Sequence, residues 1–353
     1  MQSPLKWVKV ILILLMLSVI CMACQPATGP RPTVDYLRLT PIPSQATATL
    51  RPTYTPTPHP LGSFENPIVM AFITNETVPG QDNAIFNLTG QLSQVLGVQI
   101  KGKVFNNYIE FEKSMKENEV HAAWLGPVEY ILAARSGNFQ VSLVTNHLGI
   151  TSYGVQFFAH KDSLFTSYFD ISKDISTASA NTALAQFSGT RPCLVDNSSL
   201  TGYWVPLGFL AESNIPTLEP ALTSSTTASL RALYIKGVCD FTATYAHSGD
   251  PRTANAITTD LPDIMQQIIV IWRSNPIIPN LNLSFSDELG LPLQSQIQQA
   301  VIAISRSEAG LQLLTDANDY SIAALASIED QDYDALRTLL DALDVNLKNL
   351  INK

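Results

Sequence analysis

The sequence predicts an α/β protein in which strands and helices alternate along most of the chain. Its 353 residues are enough for about two domains. Hydrophobic residues make up 46% of the chain, so a substantial core is possible. Apolar runs of strand length alternate with segments of helical spacing, which is the pattern of a mainly parallel sheet flanked by helices.

The first part of this pattern begins near Pro67. Strands are predicted at residues 68–74, 98–105, 120–125 and 141–145, and helices at residues 82–96, 108–116 and 128–135. In the first helix, Ile85, Leu88 and Leu92 recur at the spacing of one helical face. Each predicted helix joins two predicted strands, as parallel pairing requires.

A second unit with the same alternation follows. Strands are predicted at residues 155–159, 190–196, 239–245 and 282–285, and helices at residues 200–212 and 227–236. Residues 264–272 form an apolar run, and the remainder of the chain is predicted to be helical. Two apolar stripes at helical spacing, within residues 293–304 and 336–347, support that last expectation.

The first residues resemble a secretory signal. Lys6 and Lys9 precede a nearly uninterrupted apolar stretch at residues 10–23, which is short for a membrane span. The stretch ends at Cys24, in a context that resembles the cleavage site of bacterial lipoproteins. We therefore expect residues 1–23 to be removed and Cys24 to be lipidated, anchoring the chain to the outer face of the cytoplasmic membrane. An ordinary signal peptide or an uncleaved anchor is the alternative.

A tether follows the predicted anchor. Residues 26–60 contain nine prolines and eight threonines. Such a segment is short of amide donors and cannot bury a core, so residues 24–63 are predicted to be an extended, disordered stalk. Beyond it, Cys193 and Cys239 remain in the mature chain, on predicted strands. Because disulfides persist outside the cytoplasm, we predict that these two cysteines pair.

Composition excludes several classes of function. The net charge is −9, and the 21 Lys and Arg residues form no cluster, so a nucleic-acid partner is not expected. The five histidines lack metal-ligand spacing. The common hydrolase, metalloprotease and dinucleotide-binding motifs are absent from the sequence. We expect no metal site, no cofactor and no enzymatic activity.

The most informative segment, residues 193–204, joins a predicted strand to a predicted helix. Hydroxyl residues Ser198, Ser199 and Thr201 lie at the start of the helix, followed by Gly202. The first turn of a helix has amide hydrogens without intrahelical partners, and its dipole favours negative charge. The segment is therefore either an anion cradle without a basic residue or a plain helix cap.

Four segments in this order resemble the phosphate/phosphite/phosphonate-binding proteins of ABC importers, the PhnD-like family. Residues 196–203 are similar to its D-x-x-S-x-S-G-Y pattern, with Thr201 for the second serine. Residues 123–130 match A-W-L-G-P-x-x-Y. Residues 237–245 are similar to G-x-V-D-A-G-A-T-Y, with changes at Cys239, Phe241 and Thr242. Residues 274–280 resemble S-P-P-I-P-N with one residue more.

The resemblance implies a two-lobed periplasmic-binding-protein type II fold, each lobe a mainly parallel sheet flanked by helices. Lobe one would comprise residues 65–154 and 284–353, and lobe two residues 155–283, joined by hinge crossovers near 155 and 284. Small oxyanions would bind between the lobes. The implied partners are an ABC permease and ATPase, with the chain itself a monomer. The implied ligand-binding residues are Tyr108, Trp124, Gly126, Tyr130, Ser198, Ser199, Thr201, Gly202, Tyr203, Asp240 and Tyr245.

Four of these positions have a plain structural alternative. Tyr108 either faces the ligand or only begins an amphipathic helix. Trp124 and Tyr130 flank the turn at Gly126 and either wall the ligand or belong to the core. Asp240 either accepts a hydrogen bond from the ligand or caps a neighbouring loop.

Other functions remain open at this point. One is a binding protein for an organic ligand such as a sulfonate or a thiamine precursor. Another is a ligand-sensing module without transport. A third is a secreted serine hydrolase that uses Ser199 and His247.

Overall fold

The computed structural model describes residues 59–74, 78–137 and 139–351, together with Gly29. The predicted signal peptide 1–23 and Cys24 lie outside these residues, as does most of the predicted tether 24–63. Within the described part of the chain, strands are sorted into two large sheets with helices packed against them. No described helix is long and apolar enough to span a bilayer.

The first sheet has six strands in the order β14-β4-β13-β3-β1-β2. They are β1 (Ile68–Ile73), β2 (Ile100–Phe105), β3 (Ala122–Leu125), β4 (Phe139–Asn146), β13 (Asn282–Ser286) and β14 (Ala324–Ser327). The helices that follow its first three strands are α1 (Gln81–Leu96), α2 (Tyr108–Lys116) and α3 (Pro127–Arg135). Because β1, β2 and β3 are parallel, all three helices begin at one edge of the sheet.

The second sheet repeats this arrangement. Its main path has the order β11-β5-β10-β8-β9, and β12 also pairs with β5. The strands are β5 (Ser152–His160), β8 (Pro192–Val195), β9 (Ala221–Thr223), β10 (Phe241–Ala246), β11 (Ile268–Arg273) and β12 (Ile278–Pro279). Strands β8, β9 and β10 are parallel, whereas β5 runs antiparallel to β10 and β11.

The remaining elements are short or peripheral. A two-stranded ribbon is formed by β6 (Phe169–Asp170) and β7 (Ile175–Ser176). The other helices are α4 (Ala180–Leu184), α5 (Val205–Glu212), α6 (Thr226–Ile235), α7 (Asn255–Thr258), α8 (Ile264–Gln267), α9 (Leu291–Ile304), α10 (Glu308–Asn318) and α11 (Asp334–Asp341).

The chain crosses between the sheets twice. It leaves the first sheet after β4 and returns to it at β13, through residues 147–151 and 280–281. The buried Asn280 side chain donates hydrogen bonds to the carbonyls of Thr145 (3.2 Å) and Ile150 (2.8 Å). Its own amide donates to Thr151 O at 2.9 Å. The two crossings are thus bonded side by side, a few residues before the predicted positions 155 and 284.

The returning strand makes the first sheet mixed. β13 inserts between β3 and β4 and is antiparallel to both, and β14 is antiparallel to β4. The prediction of a two-lobed α/β fold of type II is confirmed, with three parallel neighbouring strands in each sheet. In the two large sheets, each antiparallel pair contains β4, β5 or β13, which are the strands next to the crossings.

The C-terminal helix α11 packs on the second sheet's side. Leu336, Leu339 and Leu340 are buried in one cluster with Phe209 and Leu210 of α5. This cluster extends from α3 of the first sheet through α5, so the C-terminal segment contacts both halves. The helical periodicity of the apolar stripe predicted a buried face on α11, but it did not predict that this face packs on α5.

Cys193 and Cys239 form a disulfide, with their Cα atoms 5.4 Å apart. Cys193 lies in β8, and its register partner in β10 is Thr242. Both cysteines are buried, in a cluster with Phe158 of β5 and Leu230 of α6. The disulfide joins the strand that precedes the predicted anion cradle to the segment that enters β10.

Candidate functional site

The candidate site is a cavity of about 360 Å³ between the two sheets, called here the inter-sheet cavity. On the first sheet's side it is lined by residues 126–129, the turn that enters α3. On the second sheet's side it is lined by Tyr153 of β5 and by Ser198, Leu200 and Trp204 beyond β8. Leu350 and Ile351, near the C-terminus, complete the lining. The cavity therefore joins segments that are far apart in the sequence.

The first wall is the N-terminal turn of α3. Gly126 is the N-cap residue and offers no side chain, and Pro127 is the first helical residue. Glu129 lies in the first turn, and its carboxylate folds back over Gly126, where a Cβ would collide with Oε2. Glycine at position 126 thus allows the carboxylate to lie against the backbone at the edge of the cavity.

The opposite wall is the segment after β8. Ser198 donates two hydrogen bonds to Oδ1 of Asp196, from its amide (2.9 Å) and from its hydroxyl. The Ser199 hydroxyl accepts the amide of Gly202 at 2.9 Å and so caps the following helix. Two of the three predicted hydroxyls are therefore engaged locally, and Ser198 can offer a ligand only its oxygen lone pairs.

The helix after this cap opens with a turn of π-helix, Leu200–Trp204, and continues as α5. Trp204 donates from its amide to Ser199 O (3.3 Å) and from Nε1 to Asn197 O (2.8 Å). Gly202 is buried, and a Cβ there would lie 2.6 Å from Cγ2 of Val195. Wide turns of this kind are frequent at functional sites because they shift side chains relative to a regular helix.

The predicted residues of this segment do not all reach the cavity. Ser198 lines it, whereas Ser199, Thr201, Gly202 and Tyr203 do not. Thr201 and Tyr203 are partly exposed, and the Tyr203 ring contacts that of its neighbour Trp204, with centroids 4.9 Å apart.

Tyr108 opens α2 at the same edge of the first sheet. Its side chain is 1% exposed and packs on Phe111. No described residue forms a hydrogen bond with its hydroxyl. Burial raises the pKa of this hydroxyl, and the charges of Glu112 and Glu129 raise it further. Tyr108 is thus a buried neutral phenol close enough to Glu129 to sense its charge.

Trp124 and Tyr130 lie in the core rather than in the cavity lining. Trp124, in β3, is 2% exposed and belongs to the cluster beneath α1 and α9. The Tyr130 hydroxyl donates to Oδ1 of Asp330 at 2.5 Å, and its ring lies 4.4 Å from that of Tyr333. Tyr130 therefore holds α3 against the C-terminal segment, whereas Trp124 packs in the core beneath α1 and α9.

Asp240 and Tyr245 lie at opposite ends of β10. Asp240 precedes the strand, is exposed, and accepts the amide of Arg191 at 2.8 Å. Tyr245 is near the carboxyl end and is partly exposed. Since β8 and β10 are parallel, Ser198 shares an edge with Tyr245 and not with Asp240. Asp240 is therefore not brought together with the other predicted residues.

Ser199 and His247, the pair of the hydrolase alternative, each form hydrogen bonds with other residues. His247 Nε2 lies 2.8 Å from Ser274 O, while Ser199 caps Gly202. The described residues contain no group of three or more His, Cys, Asp and Glu side chains that would hold a metal ion.

Eight of the ten lining residues were not predicted as site residues from the sequence, among them the two titratable ones, Tyr153 and Glu129. Tyr153 is the second residue of β5, directly after a crossing, and no local pattern marks it. Burial, Tyr320 and Glu129 together raise its pKa. Glu129 has a sequence signal, since it follows Gly126 and Pro127, but an acid in the first turn of a helix is common.

Comparison with known proteins agrees with this geometry. Residues 70–333 match the family described as ABC transporter, phosphonate, periplasmic substrate-binding protein. No curated protein matches the chain.

The chain is also similar to several solved structures. XAC2383 from Xanthomonas citri, bound to ATP, is 13% identical with a TM-score of 0.55, over 78% of this chain and 96% of that chain. The same protein bound to chloride ion has a TM-score of 0.52, with 13% identity over 78% and 97%. PhnD1 from Prochlorococcus marinus, in complex with methylphosphonate, is 13% identical over 78% and 98%, with a TM-score of 0.47.

The family match covers most of the described chain, including both crossings and both walls of the cavity. Its members bind substrates for transport and are not enzymes, and they work outside the cytoplasm. The chain belongs to the family of periplasmic substrate-binding proteins of phosphonate ABC transporters.

Proposed function

We propose that this chain captures a phosphorus oxyanion, namely a phosphonate, phosphite or phosphate, in the inter-sheet cavity and hands it to an ABC permease and ATPase. One observation carries the proposal: the N-terminal turns of α3 and of the helix after Ser199 border the same cavity from opposite sheets. Helix N-termini favour anions because their first amides have no intrahelical acceptor.

The walls would hold an anion through backbone dipoles rather than through a basic side chain. No described Lys, Arg or His lines the cavity. The amides of Leu200 and Thr201 begin the helix and suit an anion placed beside Ser198. A buried arginine would be an unpaired charge in the empty site, whereas amide dipoles carry no such penalty. Tyr108, Ser199, Thr201, Gly202, Tyr203 and Tyr245 are proposed to support this cradle from its rim.

Closure of two lobes completes the proposal. Lobe one would comprise residues 65–154 and 284–353 and lobe two residues 155–283, with the bonded crossings around Asn280 as the hinge. Hinge closure of this kind buries a ligand between rigid halves. Helix α11 belongs to lobe one by residue number, but it packs on α5. It would therefore move with lobe two during closure.

Isothermal titration calorimetry with methylphosphonate, phosphite and phosphate tests the proposal. Replacing Leu200, the first helical residue, by proline removes its backbone amide and is expected to cost about 1–3 kcal/mol of binding free energy, as for hydrogen bonds to charged groups. Asp240→Asn is the matched control, because Asp240 lies at the far end of β10. Unchanged affinity in the folded Leu200→Pro variant, or a loss of equal size in the control, would refute the cradle.

The anchor and the oligomeric state are separate proposals. Cys24 would carry the lipid, residues 24–63 would form the stalk, and the mature chain would be a monomer. Mass spectrometry of the protein extracted from membranes is expected to show a lipid-modified Cys24 at the N-terminus, absent in Cys24→Ser. An unmodified N-terminus in the natural protein would contradict the anchor, and light scattering of the soluble form would detect a dimer.

A further inference from the structure

Glu129 brings a carboxylate to a cavity that is otherwise suited to an anion. It lines the inter-sheet cavity, and its Oε2 lies against Gly126 at the N-terminus of α3. Among the residues that the structure describes, no Lys, Arg or His forms an ion pair with it. The carboxylate thus lies at the edge of the cavity, beside the helix N-terminus that an anionic ligand would meet.

The surroundings of Glu129 offer little to neutralise it. Tyr108 of α2 and Tyr153 of β5 are close enough for its charge to raise the pKa of each hydroxyl. Across the cavity, the Ser198 hydroxyl already donates its hydrogen bond to Asp196. The polar groups around Glu129 are therefore two neutral phenols, a hydroxyl oxygen and its own backbone amide, which forms a hydrogen bond with the carboxylate.

A fully ionised oxyanion placed in this cavity would face a carboxylate without a proton between them. Two negative oxygens at hydrogen-bond distance repel, and the repulsion is strong where water is excluded. A ligand that carries a hydrogen on oxygen removes the conflict, because its O–H can donate to the carboxylate in a short, charge-assisted hydrogen bond.

We propose that Glu129 is a specificity-determining residue that admits oxyanions bearing an O–H and rejects those that cannot carry one. The proposal rests on the proposed function above and deepens it. Monoanionic phosphonate and phosphite each hold one acidic hydrogen on oxygen, and monoanionic phosphate holds two. Sulfonates have none at any physiological pH, so the same cavity discriminates against them although their shape and charge are similar.

Burial raises the pKa of Glu129, which shows that its surroundings already disfavour negative charge. A second unprotonated anion beside it would add to that cost. The ligand and the carboxylate therefore share the ligand's proton, and the hydrogen-bonded pair carries one fewer negative charge than a dianionic ligand beside the carboxylate would.

A purely structural role for Glu129 makes a different prediction. An acid in the first turn of a helix stabilises it by about 0.3–1 kcal/mol through the helix dipole. If this were its only role, replacement would lower the melting temperature slightly and would leave the order of ligand preference unchanged. Ligand preference and its pH dependence are therefore the decisive measurements.

The experiment compares methylphosphonate with methanesulfonate by calorimetry, using Glu129→Gln, Glu129→Ser and the natural protein. Glu308→Gln is the matched control, because Glu308 is an exposed acid in the first turn of α10 and does not line the cavity. Each titration is run below and above the second pKa of methylphosphonate. Glu129→Ser also removes the carboxylate, and it provides the same comparison if the glutamine variant is poorly folded.

The natural protein and the control are expected to prefer methylphosphonate, and to bind it more tightly below its second pKa. In both Glu129 variants the preference over methanesulfonate should fall by about tenfold or more, the effect of one hydrogen bond to a charged group. The pH dependence should weaken with it. An unchanged preference in folded Glu129 variants overturns this inference alone, whereas failure of the natural protein to bind methylphosphonate overturns the proposed function as well.

Discussion

Reduction of the Cys193–Cys239 disulfide should destabilise the protein without affecting ligand binding. The two cysteines are 46 residues apart in the sequence, so the disulfide closes a long loop in the unfolded chain. The chain-entropy relation for a loop of this length gives about 4 kcal/mol of stabilisation at 25 °C. For a folded region of this size, that corresponds to a fall in melting temperature of roughly 6–8 °C.

Urea unfolding with and without a reductant, followed by circular dichroism, measures the difference. The double variant Cys193→Ala/Cys239→Ala is the control, because it should give one unfolding curve under both conditions. The dissociation constant for methylphosphonate should change by less than about twofold, measured by calorimetry well below the melting temperature. Cys239 precedes β10, at the end of that strand away from Ser198. Loss of the disulfide should therefore leave both cavity walls in place.

Two results would refute this reasoning. A difference below about 1 kcal/mol between oxidised and reduced protein would mean that the loop between the cysteines is already restricted in the unfolded state. A large loss of affinity in the reduced, folded protein would mean that the disulfide positions the cavity wall directly.

Three further predictions concern single side chains. Asp250→Asn should cost about 3–5 kcal/mol, because Asp250 pairs with the buried Arg252 through Nε (3.0 Å) and Nη2 (2.6 Å). Burial opposes ionisation of Asp250, but Arg252 outweighs it and lowers the pKa. The stability from this pair is therefore present above about pH 4 and lost as the pH falls further. Tyr130→Phe should cost about 1.5–3 kcal/mol by removing the hydrogen bond to Asp330, with ligand affinity unchanged. Trp204→Phe should abolish most of the fluorescence change on binding methylphosphonate, since Trp204 lines the cavity.

Each of these three has a result that contradicts it. Urea unfolding between neutral pH and about pH 3 should show a flatter pH dependence in Asp250→Asn, and an unchanged slope would exclude the ion pair as its source. A large loss of affinity in Tyr130→Phe would return Tyr130 to the ligand site. A ligand-induced fluorescence change that persists in Trp204→Phe would have to come from a buried tryptophan.

Local sequence patterns located most elements because short-range periodicity reflects which face is buried. Helix α2 was predicted with the boundaries that the structure has, and most other elements agree within two residues. The apolar run 264–272 was ambiguous, and it divides into α8 and β11. β14 was missed because its four residues, at the sheet edge, are at best half-buried and have no alternating pattern.

The candidate site was predicted only in part. The Ser198 segment was recognised because its hydroxyls, its glycine and its place after a strand lie together in the sequence. Glu129, Tyr153 and Leu350 were not, since they meet Ser198 only through the crossings and the C-terminal segment. Trp124 and Tyr130 matched a family pattern, but whether an aromatic side chain lines a cavity or fills the core depends on its neighbours from other elements.

The sequence by itself determined the α/β class, the family and the strand-to-helix turns that offer free amides. These follow from periodicity and from residues within a few positions of each other. Only the tertiary structure decided which turns face one another, which hydroxyls are consumed by local hydrogen bonds, and that Glu129 lies in the cavity. The physical reason is that β13 inserts between β3 and β4 from more than a hundred residues away, and such long-range pairing leaves no local pattern.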